Sequence, residues 1–373
     1  MSGPAVRPAR PARSALLAPL PVSIALAVLG AFAAFTPEMP ESVTRAGQLG
    51  LAVLGALTAA IVAHDGAHWL AARLCGFRTV TFTIGPLRVI PSRRGLHVRP
   101  VRWWHELGGE LIAEPPGEHR ANARWALMAA AGPAASLALG VLSVNVAPLL
   151  AIASLLRFAL AALPFGRDSR PSDGAQLLML TVGGAAADRL SALRRIAAAQ
   201  RAGVRPRAWP ERWAVDATAL RDGTVAEALG CVAAFRRAVD GCAHERAAVH
   251  LDRGLALRAL LPHAEACALL ADAAYFEARI HNDVPRAQAW LDEAAARHPA
   301  CPVAERRATA AVLLAAGDPA AGAIAAREAL ALLEQIEHEE HRALPMEADW
   351  LREMLARAEC ASVLPDELLA TAG

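Results

Sequence analysis

The chain has 373 residues, of which 55% are hydrophobic and 20% charged, and its mean hydropathy is +0.30. That balance is too apolar for an ordinary soluble protein and too polar for one embedded throughout, which implies a membrane half and a soluble half. The formal net charge is only +2, carried by arginine with no lysine, so no nucleic-acid partner is expected.

The N-terminus places Arg7, Arg10 and Arg13 ahead of an apolar run near 16–35. About 20 such residues suffice to span a bilayer. The small residues at its end would also suit a cleaved signal peptide, but the apolar runs that follow favour a retained first helix. Further spans are expected near 49–74, 125–143 and 146–165, whereas the run 175–182 is too short to span by itself. Arginines precede the first span, are nearly absent from "TPEMPESVTRAGQ", and crowd 73–124 and the chain beyond Phe165. The positive-inside rule then expects the N-terminus, 73–124 and the tail on the cytoplasmic side of a bacterial inner (plasma) membrane.

Between the second and third spans, "TVTFTIGPLRVI" and "GLHVRPV" are β-branched and alternating, and are expected as short strands beside the membrane. Trp103 and Trp104 next to arginines suit the membrane interface. His105-Glu106 is not a zinc helix, because position 109 is glycine. After a linker at 191–207, the pattern from Ala208 is helical, alanine-rich and charged. "ARIHNDVPRAQAWLDEA" and "LLAAGDPAAGAIAAREAL" each read as helix, turn, helix, with Pro285 and Pro319 at the 34-residue period of tetratricopeptide pairs. The expected fold is therefore mainly α. A multi-span membrane domain at 1–190 carries a short membrane-associated β segment, and a soluble α-solenoid-like tail occupies 208–373, with an irregular helical bundle as the alternative for the tail.

The six cysteines are scattered without a C-x-x-C pair, which argues against a disulfide framework or a cysteine zinc site. "EHEEHR" at 337–342 reads as a solvated charged face. His244, His250, His263, His281 and His298 share no spacing.

The chemistry concentrates in "IVAHDGAHWLAARL". His64 and His68, four apart on a helix, direct two imidazoles to one side. Zinc takes such nitrogens, and a catalytic site needs three protein ligands and an open position. Asp65 follows the first histidine, where the H-E-x-x-H pattern carries its glutamate base. Ionisable residues in a membrane span are costly and mark function by default. The candidate third ligand is Asp173 in "RPSDGAQLLML", although Ser172-Asp173 would equally cap the helix that follows.

Taken in order, "HDGAHWLAARLCGF", "FTIGPL", "AAGPAASL" and "PSDGAQLL" resemble the site-2 protease family of intramembrane zinc metallopeptidases, over roughly 49–180. The resemblance implies Zn2+ held by His64, His68 and Asp173, with Asp65 as the catalytic base. It also implies a substrate cleft including Thr83, Gly85, Gly132 and Pro133. The chain departs from the family at Asp65 (for glutamate), and at Ser136 and Ala161 (where asparagine is usual). The implied activity is peptide-bond hydrolysis in a membrane-anchored protein or peptide within the lipid bilayer, with a protein partner on the tail. The alternative is a catalytically weak or inactive relative serving as a membrane scaffold or adaptor through its helical repeats. A transporter is disfavoured, since the spans hold no other acidic pair and no inverted repeat.

Overall fold

The computed structural model describes residues 41–84, 87–92, 95–100, 110–117, 120–165, 171–297, 302–340 and 344–363. The expected span at 16–35 lies outside them. Helix α1 (Glu41–Leu74) begins well before the expected start at 49, taking in "ESVTRAGQ", which had the look of a loop between spans. No proline interrupts that stretch, so the helix runs on. At about 1.5 Å per residue it is far longer than the roughly 30 Å thickness of a bilayer's hydrocarbon. It ends in a Schellman closure: Gly76 takes φ +79°, Gly76 N–H donates to Arg73 O, and Phe77 N–H donates to Ala72 O.

Four antiparallel strands follow: β1 (Arg78–Ile84), β2 (Leu87–Ser92), β3 (Gly95–Pro100) and β4 (Glu110–Glu114). Their order is β3-β2-β1-β4. The first three lie where the alternation expected them, with Phe82 opposite Val89 and Val89 opposite Val98. β4, in "ELIAE", is an addition to that reading, and its register against β1 slips between Thr79 and Thr81. Trp69 of α1 stacks on Phe82 at 6.2 Å, which lays β1 against the helix.

Helices α2 (Ala121–Ser143), α3 (Pro148–Ala162), α4 (Asp173–Val182) and α5 (Ala185–Arg201) complete the first half. Among the described residues two helices, α1 and α2, are long and apolar enough to cross a membrane. α3, at 15 residues, is shorter than the span expected at 146–165. A β-carbon on Gly140 would meet the Leu155 side chain at 2.7 Å, so this glycine lets α2 and α3 approach closely. A small core of Ala72, Phe77, Ala113, Trp125, Met128 and Leu180 joins α1, the sheet, α2 and α4.

The segment expected as a linker, 191–207, is helical through Arg201 as the second part of α5. Ala192, Ile196 and Ala199 form a stripe on one face that is buried with Trp209, Ala217 and Ala233. Eight further helices follow: α6 (Glu211–Thr218), α7 (Val225–Asp240), α8 (His244–Ala256), α9 (His263–Phe276), α10 (Val284–Ala296), α11 (Pro302–Ala315), α12 (Pro319–Glu340) and α13 (Pro345–Val363). The two turns singled out in the sequence are built alike. Asp283 accepts from Arg286 N–H at the start of α10, and Asp318 accepts from Ala321 N–H at the start of α12. α9 packs against α10 and α11, and α13 against α11 and α12. At their centre Arg307 is fully buried. It pairs with Asp272 and Glu347, and its guanidinium lies 4.9 Å from the Tyr275 ring and 5.0 Å from the Trp350 ring. Burial pushes the Tyr275 hydroxyl up to about 12.

Candidate metal centre

α1 presents His64 and His68 on one face, and α4 brings Asp173 to them from 109 residues away. His64 Nε2, His68 Nε2 and Asp173 Oδ2 form a triangle with sides of 3.1, 3.2 and 3.3 Å. A tetrahedral ion with bonds of about 2.0–2.1 Å holds its ligand atoms about 3.3–3.4 Å apart, so the triangle is close to one face of such a site. The group of His64, His68 and Asp173 can hold a metal ion.

The second nitrogen of each ring is also engaged. His68 Nδ1–H donates to Met128 O at 2.6 Å. A carbonyl only accepts, so the proton sits on Nδ1 and leaves the Nε2 lone pair to a cation. His64 Nδ1 is hydrogen-bonded to Ser136 Oγ at 2.8 Å, and both residues are buried. Ser136 thus acts through His64.

Two glycines make the space. A β-carbon on Gly132 would fall 2.2 Å from His68 Nε2 and 2.8 Å from His64 Nε2, in the volume on which the ligand atoms converge. That cradle, with its nitrogen and carboxylate donors, fits a zinc-sized ion. A β-carbon on Gly174 would fall 1.9 Å from Ala162 O, so only glycine lets α4 start against the end of α3. Ser172 secures the same junction: its hydroxyl donates to Leu163 O and accepts from Ala175 N–H, capping α4. Ser172 is therefore the cap and Asp173 the candidate ligand.

Asp173 carries further support. Burial alone would push its carboxyl up, but the apposed imidazoles of His64 and His68 outweigh that and hold it below the usual carboxylate range. Beside it, Gln176 accepts from Arg194 of α5, whose guanidinium lies 4.6 Å from the Trp125 ring. Burial pulls Arg194 down to about 10 against the attraction of Asp173.

Asp65 is buried, and its Oδ1 accepts from Arg157 Nη2 of α3 at 3.2 Å. Its Oδ2 is buried without a hydrogen-bond partner among the described residues. The sequence reading passed over Arg157, although the one charged residue in "PLLAIASLLRFALAA" was a visible signal. Of the expected cleft residues, Gly132 abuts both imidazoles and Pro133 is buried beside it in α2. Thr83 is fully buried on β1, and its hydroxyl accepts from Arg88 Nε at 3.4 Å instead of meeting the histidines. Gly85 lies outside the described residues. No protein-family model, curated protein or solved structure matches the chain.

Proposed function

We propose that this chain is a membrane-embedded zinc metalloprotease of the site-2 protease type, cutting membrane-associated proteins or peptides. The observation that carries the reading is the convergence of His64, His68 and Asp173 beside Asp65, at the far end of a long apolar helix. When bound, Zn2+ would supply Lewis-acid polarisation of a carbonyl and an acidified water. The chain's own residues do the rest. His64, His68 and Asp173 hold the ion, Ser136 and Met128 O orient the two rings, and Asp65 takes a proton from the attacking water. The water oxygen bonds to the peptide carbonyl carbon, the C–N bond breaks, and the proton passes from Asp65 to the departing nitrogen. One water is consumed per peptide bond.

The arginine distribution supports a topology with the tail in the cytoplasm, the membrane being read as a bacterial plasma membrane. The successive helix pairs and their matching Asp-capped turns support a tetratricopeptide-like solenoid able to hold a protein partner. Metal analysis of the purified full chain tests the reading. Wild type is expected to hold zinc, and His64→Ala and Asp173→Ala to lose it along with cleavage of a membrane-anchored reporter. Wild type without zinc would overturn it.

A second reading, a metal-binding scaffold without proteolysis, is favoured by one observation: the Asp65 carboxylate is engaged by Arg157. Wild-type cleavage that Asp65→Ala abolishes would exclude it.

A further inference from the structure

An arginine in an apolar helix is costly unless something answers its charge. Arg157 is the only charged residue of α3, and the group that answers it is Asp65, 92 residues earlier on α1. The pair is asymmetric. Arg157 Nη2 donates to Oδ1, while Oδ2 is buried and has no hydrogen-bond partner among the described residues. We propose that Arg157 is the positioning residue for Asp65, anchoring Oδ1 from a second helix and leaving Oδ2 as the oxygen that receives the proton. The proposal rests on the metalloprotease reading above.

Two features of α3 suit it to this task. At its middle it is drawn against α2 at Gly140, where Leu155 packs, two residues before the arginine. Its end meets Gly174, the neighbour of Asp173, so the helix that aims Asp65 also abuts the helix that supplies the third ligand. An aspartate is one methylene shorter than glutamate and tolerates less error in its placement. A misplacement of about 1 Å can cost about 100-fold in rate. A single N–H donor on a separate, braced helix fixes Oδ1, an anchor that the short side chain does not supply alone.

The test uses the full chain in detergent or vesicles, loaded with Zn2+ for kinetics and with Co2+ for visible absorption. Wild type is compared with Arg157→Leu, Arg157→Lys and Asp65→Ala. Arg157→Leu is expected to keep full metal occupancy and a KM within about twofold of wild type, while kcat falls about 100-fold. Arg157→Lys, which retains a cationic donor, is expected to recover part of that loss. The Co2+ bands of Arg157→Leu are expected to move as those of Asp65→Ala do. An unchanged kcat with unmoved Co2+ bands in Arg157→Leu would overturn the proposal. So would a loss confined to metal occupancy or to KM, which marks a packing or substrate-binding role. If wild type binds metal but cleaves nothing, the protease reading fails. The bands then decide separately: moved alike in both variants they uphold the positioning role, and unmoved in Arg157→Leu they reject it.

Discussion

Gly132 faces His68 so closely that a β-carbon on the glycine would lie 2.2 Å from the imidazole Nε2. The clash is with the far end of a side chain and not with backbone, so the ring can swing aside and the fold survives. Gly132→Ala is therefore expected to hold its Tm within a few degrees while metal affinity falls by at least about tenfold. Competition against a chelator measures the second quantity and circular dichroism the first. A variant that binds metal like wild type would mean that the ion does not sit between these rings.

Ser136 orients His64 from behind, through a buried 2.8 Å hydrogen bond to Nδ1. Removing such a partner of a ligating histidine typically costs 10–100-fold in metal affinity. Ser136→Ala is expected to show that loss in chelator competition, and Ser136→Asn to show less of it if the amide reaches the same nitrogen.

In the tail, Arg307 is closed between two aromatic rings and two carboxylates, with Asp272 and Glu347 themselves largely buried. Burial alone would lower the guanidinium, yet Glu347 and Asp272 raise it above the ordinary arginine value. Taking the cation away leaves Glu347 without its ion pair and Asp272 with Arg236 alone. Arg307→Ala is expected to destabilise the tail by about 3–5 kcal/mol, and denaturant unfolding monitored by tryptophan fluorescence would show it. Arg307→Met with Asp272→Leu and Glu347→Leu is expected to recover only part of the loss, because it also removes the partner of Arg236.

Arg189 forks onto Asp222 with bonds of 3.0 and 2.7 Å, tying α5 to the turn before α7. Hydrogen bonds from Arg189 pull the Asp222 carboxyl down to about 2, from 3.8 when unpartnered. A lowered carboxyl contributes stability that is complete above its unfolded value and disappears as the pH falls through its folded one. The contribution is expected to fade between about pH 4 and pH 2, and to be small because Asp222 is partly solvated. Asp222→Asn should flatten the acid limb of a pH–stability curve in that window. An unchanged limb would remove the pair from the account.

What could be read in the sequence followed from local rules. The spacing of His64 and His68 dictates a shared helix face, and the alternation in 78–100 dictates strands. The capped turns at Asp283 and Asp318 mark helix pairs. Other features depend on contacts that no window contains. Arg157 and Asp65 meet across 92 positions, and nothing local in either segment names the other. Gly132 and Gly174 are ordinary small residues until the opposing imidazoles and the Ala162 carbonyl are placed. The helix over 191–201 was hidden for a different reason. "SALRRIAAAQR" is polar enough to pass for a connector, and only the burial of Ala192, Ile196 and Ala199 shows which face packs. The early start of α1 is similar, since "ESVTRAGQ" is a competent helix sequence despite its polarity.

Arg205, just past the end of α5, binds Asp240 and also reaches Asp349 on α13, 144 positions later. A row of stacked helices ordinarily frays from its outermost member, which has a neighbour on one side only. Here that member is fastened back to the root of the row, and Arg279 with Glu353 adds a second clasp. A pulling force acting on α13 meets these two ion pairs before the helix can peel from the row.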